Sequence, residues 1–325
     1  MEQVSCDFCG EREYTPVTRQ TDILHRTTEE MFTIVSCNRC GLHYLNPRPT
    51  RDEIGRYYAE QYSFHAAPSR LRLVAADILD AAANGPLHWL FCWVPYLNRK
   101  LSARVKPRIA DPVLRHLAPG AQRRILDIGC GSGLSAHFWG YRGSLQHYRR
   151  VASVCGVEID DAARQVLIDS GIQAYRSIED IPAAERFDVI RMNWSLEHAH
   201  APASYFRFFA AHLAAGGKAI VAVPNYDGLL YRIARDCVEV PIHLYHFRRQ
   251  DIVNYADKFG LALAEFQSFS YPQMFVVAGQ TCAALRGAFA TGLGINEAGY
   301  LQRSLSKFDA LGLGNDMIAV LERQA

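Results

Sequence analysis

Nine residues near the middle of the chain, Ile125-Leu-Asp-Ile-Gly-Cys-Gly-Ser-Gly133, narrow the choice of fold more than any other feature. An apolar run ends at Ile128, glycines follow at positions 129, 131 and 133, and an amphipathic stretch, Leu134–Tyr141, begins. A strand that turns through glycines into a helix lets the backbone approach a ligand closely and aims free helical N–H groups at it. The flanking sequence keeps the same rhythm. The runs Arg124–Ile128, Ser153–Glu158, Ile172–Tyr175, Phe187–Met192 and Lys218–Val223 alternate with amphipathic segments, the pattern of β-α-β units on a parallel, doubly wound α/β sheet. Further apolar runs lie near 262–270 and at Met317–Leu321.

The glycine spacing is G-x-G-x-G, and Asp127 stands two residues before the first glycine. A carboxylate there repels a pyrophosphate but suits an amino-acid ammonium, which favours S-adenosylmethionine over NAD or ATP. The second run ends in Val157-Glu158-Ile159-Asp160, a carboxylate where doubly wound folds bind ribose hydroxyls. On these residues the chain resembles the class I S-adenosylmethionine-dependent methyltransferases over roughly 121–262. Phe187-Asp-Val-Ile-Arg-Met-Asn-Trp-Ser-Leu-Glu-His198 and Leu213-Ala-Ala-Gly-Gly-Lys-Ala-Ile-Val-Ala-Val-Pro-Asn225 add to the resemblance. It implies a seven-stranded Rossmann-like methyltransferase sheet. It also implies a cofactor held by Asp127, Gly129, Cys130, Gly131, Gly133, Glu158, Ile159 and Asn193, with backbone contacts to adenine from Ser177 and Ile178. Two departures stand out. The interval from Gly133 to Glu158 is longer than is usual in that family and carries an Arg-rich insert near Arg142–Arg150. The fourth strand lacks the Asn/Asp-Pro-Pro-Tyr/Phe tetrapeptide of amino-methylating DNA enzymes, which counts against exocyclic nucleobase nitrogens as acceptors.

The N-terminus carries Cys6-x-x-Cys9 and Cys37-x-x-Cys40. Four thiolates satisfy tetrahedral zinc and leave no open position, so the expected metal is structural. Between the pairs stand three arginines and five acids, too little positive charge for a nucleic-acid partner. Cys92, Cys130, Cys155, Cys237 and Cys282 stand alone and read as small buried hydrophobes, with no disulfide expected. With Asn46-Pro-Arg-Pro49 and Tyr57-Tyr-Ala-Glu-Gln-Tyr62, this region resembles the zinc-binding module of bacterial deoxysugar C-methyltransferases. Those relatives carry a large further domain, whereas only 263–325 follow the core here.

Four regions follow: a zinc ribbon at 1–46, a helical connector and lid at 47–120, the cofactor-binding core at 121–262, and final core strands with a helical insertion at 263–325. His198, His243 and His246 are the candidate catalytic groups, because imidazole titrates near neutrality and suits a general base. Tyr58 and Tyr62 are candidates to cover the cofactor. Residues 86–108 join Trp89, Trp93 and Tyr96 to Arg99, Lys100, Arg104, Lys106 and Arg108, a combination suited to a membrane surface or an anionic lipid-linked acceptor. Hydrophobic residues at 49% and a net charge of +2 exclude a largely disordered chain. The first residues lack a basic and apolar leader, so a cytoplasmic protein is expected, with residues 86–108 at the inner face of the membrane. The expected activity is methyl transfer to a hydroxyl or acidic carbon of a small-molecule or glycan-type acceptor. The alternatives are an RNA methyltransferase and a non-catalytic protein that keeps the fold.

Overall fold

The computed structural model describes residues 1–58, 70–107, 109–117, 123–133, 144–289 and 292–324. Its first sheet is a short antiparallel meander of β1 (Tyr14–Gln20), β2 (Phe32–Cys37) and β3 (His43–Leu45). Phe32, Ile34, Val35 and Leu45 are all buried in it.

The larger sheet is built from buried parallel strands. In β4 (Arg124–Ile128), Ile125, Leu126 and Ile128 are inaccessible, as expected of a strand covered on both faces. β5 (Ser153–Val157) and β6 (Gln173–Tyr175) lie on one side of it, and β7 (Phe187–Asn193) and β8 (Leu213–Pro224) on the other. The next strand, β9 (Tyr245–His246), leaves this sheet and becomes the fourth strand of the N-terminal one, pairing His246 with His43. β10 (Leu261–Phe269) and β11 (Asp316–Arg323) complete the order β6-β5-β4-β7-β8-β11-β10, with β11 antiparallel to both neighbours. This is the seven-stranded doubly wound sheet expected from the sequence.

The two sheets share one apolar core. Asp7 joins them further, its Oδ2 accepting from the Ala203 N–H and the Tyr255 hydroxyl, each at 2.8 Å. The Asn-Pro-Arg-Pro motif does the same work. Arg48 donates to Glu2 at 2.8 Å, to the His200 carbonyl at 2.9 Å and to the Tyr245 hydroxyl at 3.2 Å.

One expectation about cysteines is corrected. Cys237 and Cys282 form a disulfide, with Cα atoms 6.5 Å apart. The segment after β8 packs against the end of the helix Pro272–Thr281, a proximity that a sequence separation of 45 does not announce. Tyr62, Arg108, Leu134–Tyr141 and positions 142–143 of the Arg-rich insert lie outside the described residues.

Candidate functional site

Strand order reverses at β4, so the loops leaving β4 and β7 part at their C-terminal ends and open a crevice. The glycine loop sits there. Gly129 has φ +71°, and a Cβ on it would fall 2.6 Å from Ser195 Cβ, so only glycine fits. Ser195 in turn donates its hydroxyl to the Ile128 carbonyl at 3.0 Å, which fastens the two loops together. Buried Glu158 holds the loop from the β5 side. Its Oε2 accepts from the Gly131 N–H at 2.7 Å and its Oε1 from the Asp160 N–H at 2.9 Å. Each oxygen keeps further acceptor capacity.

The other expected cofactor residues are distributed around this point. Ile159 is 72% exposed beside Glu158. Ser177 is tied to Asp180, whose Oδ2 accepts from its N–H at 3.0 Å and its hydroxyl at 3.2 Å, and Ile178 behind it is buried. Gly131 and Gly133 also have positive φ, and Asn193 ends β7 half-buried. The Cys130 side chain turns back onto β5, with Sγ 3.6 Å from the Val157 carbonyl.

Asp127 is not the open charge that the sequence implied. It lies in register with Arg191 on β7, and both are buried. Arg191 Nε donates to Asp127 Oδ1 at 3.0 Å, and its Nη2 pairs with the other carboxylate oxygen. Arg191 also reaches the Tyr148 hydroxyl at 3.2 Å, which donates to Asp111 at 3.0 Å. Arg191 therefore offsets the charge that would otherwise draw an ammonium group to Asp127. Asp127 is a strut beneath the loop.

A second cluster stands on the turn Leu196–His198 that follows β7. The segment leading to β9 lies across this turn, its Leu244 N–H donating to the Glu197 carbonyl at 2.8 Å. His198 Nδ1 is 3.0 Å from the Ile242 carbonyl and 3.1 Å from the Tyr58 hydroxyl. A carbonyl only accepts, so the proton sits on Nδ1 and the lone pair on Nε2. The His243 ring meets His198 edge-to-face, with centroids 4.6 Å apart. His243 Nε2 is 3.4 Å from Glu239 Oε2 and 4.0 Å from Glu197 Oε1.

Burial and neighbouring charge divide these groups. Burial, with His243 adding to it, pushes His198 down to about 3. His243 is also lowered by burial, against the attraction of Glu239. Glu197 is 1% exposed, and among the described residues no hydrogen bond reaches its carboxylate oxygens. Burial pushes it well up. Burial opposes ionisation of Glu239 too, but His243 and His25 bring it down to about 2. Burial raises the Tyr58 hydroxyl, and Glu197, Glu158 and Glu239 push it the same way.

Ligand atoms of Glu197, His198 and His243 lie within 4.8 Å of one another, a spacing that can also hold a metal ion. His246 is elsewhere, on β9 in the N-terminal sheet, buried with its ring 5.4 Å from Tyr226. Glu239 and His25 were missed in the sequence. Glu239 had a faint signal, four residues before His243.

The four N-terminal cysteines converge, with Sγ separations of 3.5 Å for Cys6–Cys40 and Cys9–Cys37 and 3.6 Å for Cys9–Cys40. A tetrahedron of thiolates about 2.3 Å from zinc has edges of roughly 3.7 Å, so the set fits that ion. Gly10 and Gly41, one residue past each pair, have φ +74° and donate back to the Cys6 and Cys37 carbonyls.

The helical segment differs from expectation in its charges. Arg104 and Lys106 both bind Asp80 at 2.7 Å and are internal struts. Arg99 and Lys100 remain exposed, beside exposed Trp89, Trp93 and Tyr96. Among the described residues no helix is long and apolar enough to cross a membrane.

A family model described as a methyltransferase domain matches residues 101–265, half of the chain. The ubiquinone biosynthesis O-methyltransferase of Alkalilimnicola ehrlichii is 32% identical over 164 residues, covering 48% of this chain and 61% of that protein. The protein of the same name from Xanthomonas axonopodis pv. citri is 29% identical over 181 residues, covering 52% and 69%. The chain thus spans 61% of the length of the first of these relatives. An S-adenosylmethionine-dependent methyltransferase structure from Mesorhizobium loti is 16% identical, covering 65% of this chain and 96% of that one, with a TM-score of 0.42. With the domain match laid over the strand order and the glycine crevice, the chain belongs to the methyltransferase-domain family of S-adenosylmethionine-dependent enzymes.

Proposed function

We propose that the chain transfers a methyl group from S-adenosylmethionine to a hydroxyl of a small molecule. The observation that carries this reading is the Glu158-locked glycine loop, fastened through Ser195 to the turn whose His198 packs on His243, which in turn meets half-buried Glu239. The O-methyltransferase relatives favour a small-molecule hydroxyl over a glycan or a sugar carbon. Bound in the crevice, the cofactor supplies a methyl group on a sulfonium. Glu158 accepts hydrogen bonds from its ribose, and the backbone of Gly129–Gly133 lies against it. His243 removes the acceptor proton, and ionised Glu239 balances the imidazolium that results. His198, held by Tyr58 and Ile242, positions the ring of His243. The four cysteines hold one structural zinc, and the exposed side chains of Trp89, Trp93, Tyr96, Arg99 and Lys100 touch a lipid surface.

Calorimetry with S-adenosylhomocysteine and a turnover screen of hydroxylated small molecules test the reading. Glu158→Ala is expected to weaken cofactor binding by about 1–3 kcal/mol, the scale of hydrogen bonds to a charged group. His243→Asn is expected to abolish turnover of any acceptor the screen finds, with cofactor affinity unchanged. Wild-type protein that ignores the cofactor refutes the assignment. Metal analysis of freshly purified, reduced protein is expected to give about one zinc per chain.

A further inference from the structure

The loop between β1 and β2 reaches the histidine cluster from the N-terminal sheet. It carries His25, whose Nε2 is 3.3 Å from Glu239 Oε2, the same oxygen that lies 3.4 Å from His243 Nε2. We propose that the four-cysteine module completes the acceptor site, with His25 and Glu239 as positioning residues that fix His243 as general base. This rests on the methyl-transfer reading above.

The loop is built to hold that contact. Buried Asp22 accepts from the His25 N–H at 2.9 Å and, through its other oxygen, from the Thr27 N–H and hydroxyl at 2.8 and 2.6 Å. Gln20, at the end of β1, donates to the Val238 carbonyl at 2.8 Å, one residue from Glu239. Two separate ties therefore join this loop to the segment that carries Glu239. Among the described residues, the titratable groups around Glu239 and His243 are Asp22 and His25 from the module, Glu197 and His198 from the turn after β7, Tyr58, Tyr231, His246 on β9 and Asp316 on β11.

The chemistry follows from which nitrogen faces which oxygen. An ionised carboxylate beside Nε2 favours the tautomer with its proton there, leaving the Nδ1 lone pair as the base. In the proton step the acceptor O–H bond breaks toward Nδ1. The oxygen keeps the electron pair and forms its bond to the methyl carbon as the methyl–sulfur bond breaks, sulfur retaining that bond's pair in the neutral thioether S-adenosylhomocysteine. The imidazolium carries its charge against Glu239. His25 acts only through Glu239: by holding that oxygen it fixes the side chain and thereby the His243 tautomer.

Long-range 15N–1H spectra of full-length, histidine-labelled protein read this without any acceptor. The expected wild-type state of His243 is the Nε2–H tautomer. Glu239→Gln is expected to lower the His243 titration midpoint by at least about one pH unit, the effect of losing an adjacent anion. His25→Ala is expected to halve the Nε2–H population at least, and His25→Gln, whose amide still donates to the carboxylate, to restore it. All three variants are expected to keep S-adenosylhomocysteine affinity within about twofold and, with an acceptor from the screen, Glu239→Gln to lose at least about tenfold in kcat. A His243 tautomer unchanged in His25→Ala overturns the proposal, and if His25→Ala does not fold, His25→Phe, which cannot donate to Glu239, is read in its place. Wild-type protein that fails to bind S-adenosylhomocysteine overturns the methyl-transfer reading instead, and the spectra still report on the His25–Glu239–His243 contact.

Discussion

Asp316, at the start of β11, accepts from the Trp194 indole N–H at 2.8 Å. Burial pushes its carboxyl from the ordinary 3.8 up to about 7, although the indole bond pulls the other way. The folded chain therefore keeps a proton that the unfolded chain releases. This penalty is absent below about pH 4, grows as pH rises to about 7 and is constant above. Asp316→Asn keeps an acceptor for Trp194 and removes the titration. Its stability relative to wild type is expected to be about 2–3 kcal/mol more favourable at pH 8 than at pH 5, measured by denaturant midpoints. Residues of this kind were poorly legible in the sequence. Glycines 129–133 and Glu158 announced themselves because backbone geometry admits few substitutes there. Glu239, His25 and Asp316 did not, since a carboxylate or imidazole becomes unusual only through what folding places around it.

The strands were legible where apolar runs are continuous, and less so where pairing follows from tertiary contact. β4 was read to the residue, whereas β8 begins five residues before the expected Lys218. The stretch Leu213-Ala-Ala-Gly-Gly217 looks like a turn. Gly217 nonetheless belongs to the strand, and a Cβ on it would sit 2.9 Å from the Phe187 carbonyl. β9 is two residues long and owes its existence to β3. Between β4 and β7 the Asp127–Arg191 pair joins the two strands at buried positions, and its energetics are those of a buried ion pair. Asp127→Ala leaves a buried guanidinium without its carboxylate and is expected to cost about 3–5 kcal/mol. The double variant Asp127→Leu with Arg191→Met removes both charges and is expected to recover most of that loss in the same denaturation experiment. A double variant as unstable as the single one would show that the strut itself, and not the stranded charge, sets the cost.

At the scale of the whole molecule, the helical segment before the core presents an apolar face that nothing among the described residues covers. Leu71, Val74 and Ile78 recur at helical spacing along one side of Arg70–Asn84 and are exposed, while Ala83 lies in a small core with Leu101 and Ile295. Leu87, Trp89, Leu90, Trp93 and Tyr96 continue the exposed series, Trp93 at 83%. Of the five cations expected to draw this segment to anionic lipid, Arg104 and Lys106 are committed to Asp80, and Arg108 lies outside the described residues. That leaves Arg99 and Lys100, each worth about 1 kcal/mol near an anionic surface. The proposed lipid contact is therefore mainly apolar, with charge a secondary aid. Co-sedimentation is expected to show binding to anionic vesicles and, more weakly, to neutral ones, with modest loss on adding salt. Replacing Arg99 and Lys100 by Gln is expected to weaken anionic binding by up to about thirty-fold. Replacing Trp89 and Trp93 by Ser should remove binding to both vesicle types. If wild-type protein stays in the supernatant with either, or if the tryptophan variant sediments as wild type does, this face does not meet lipid.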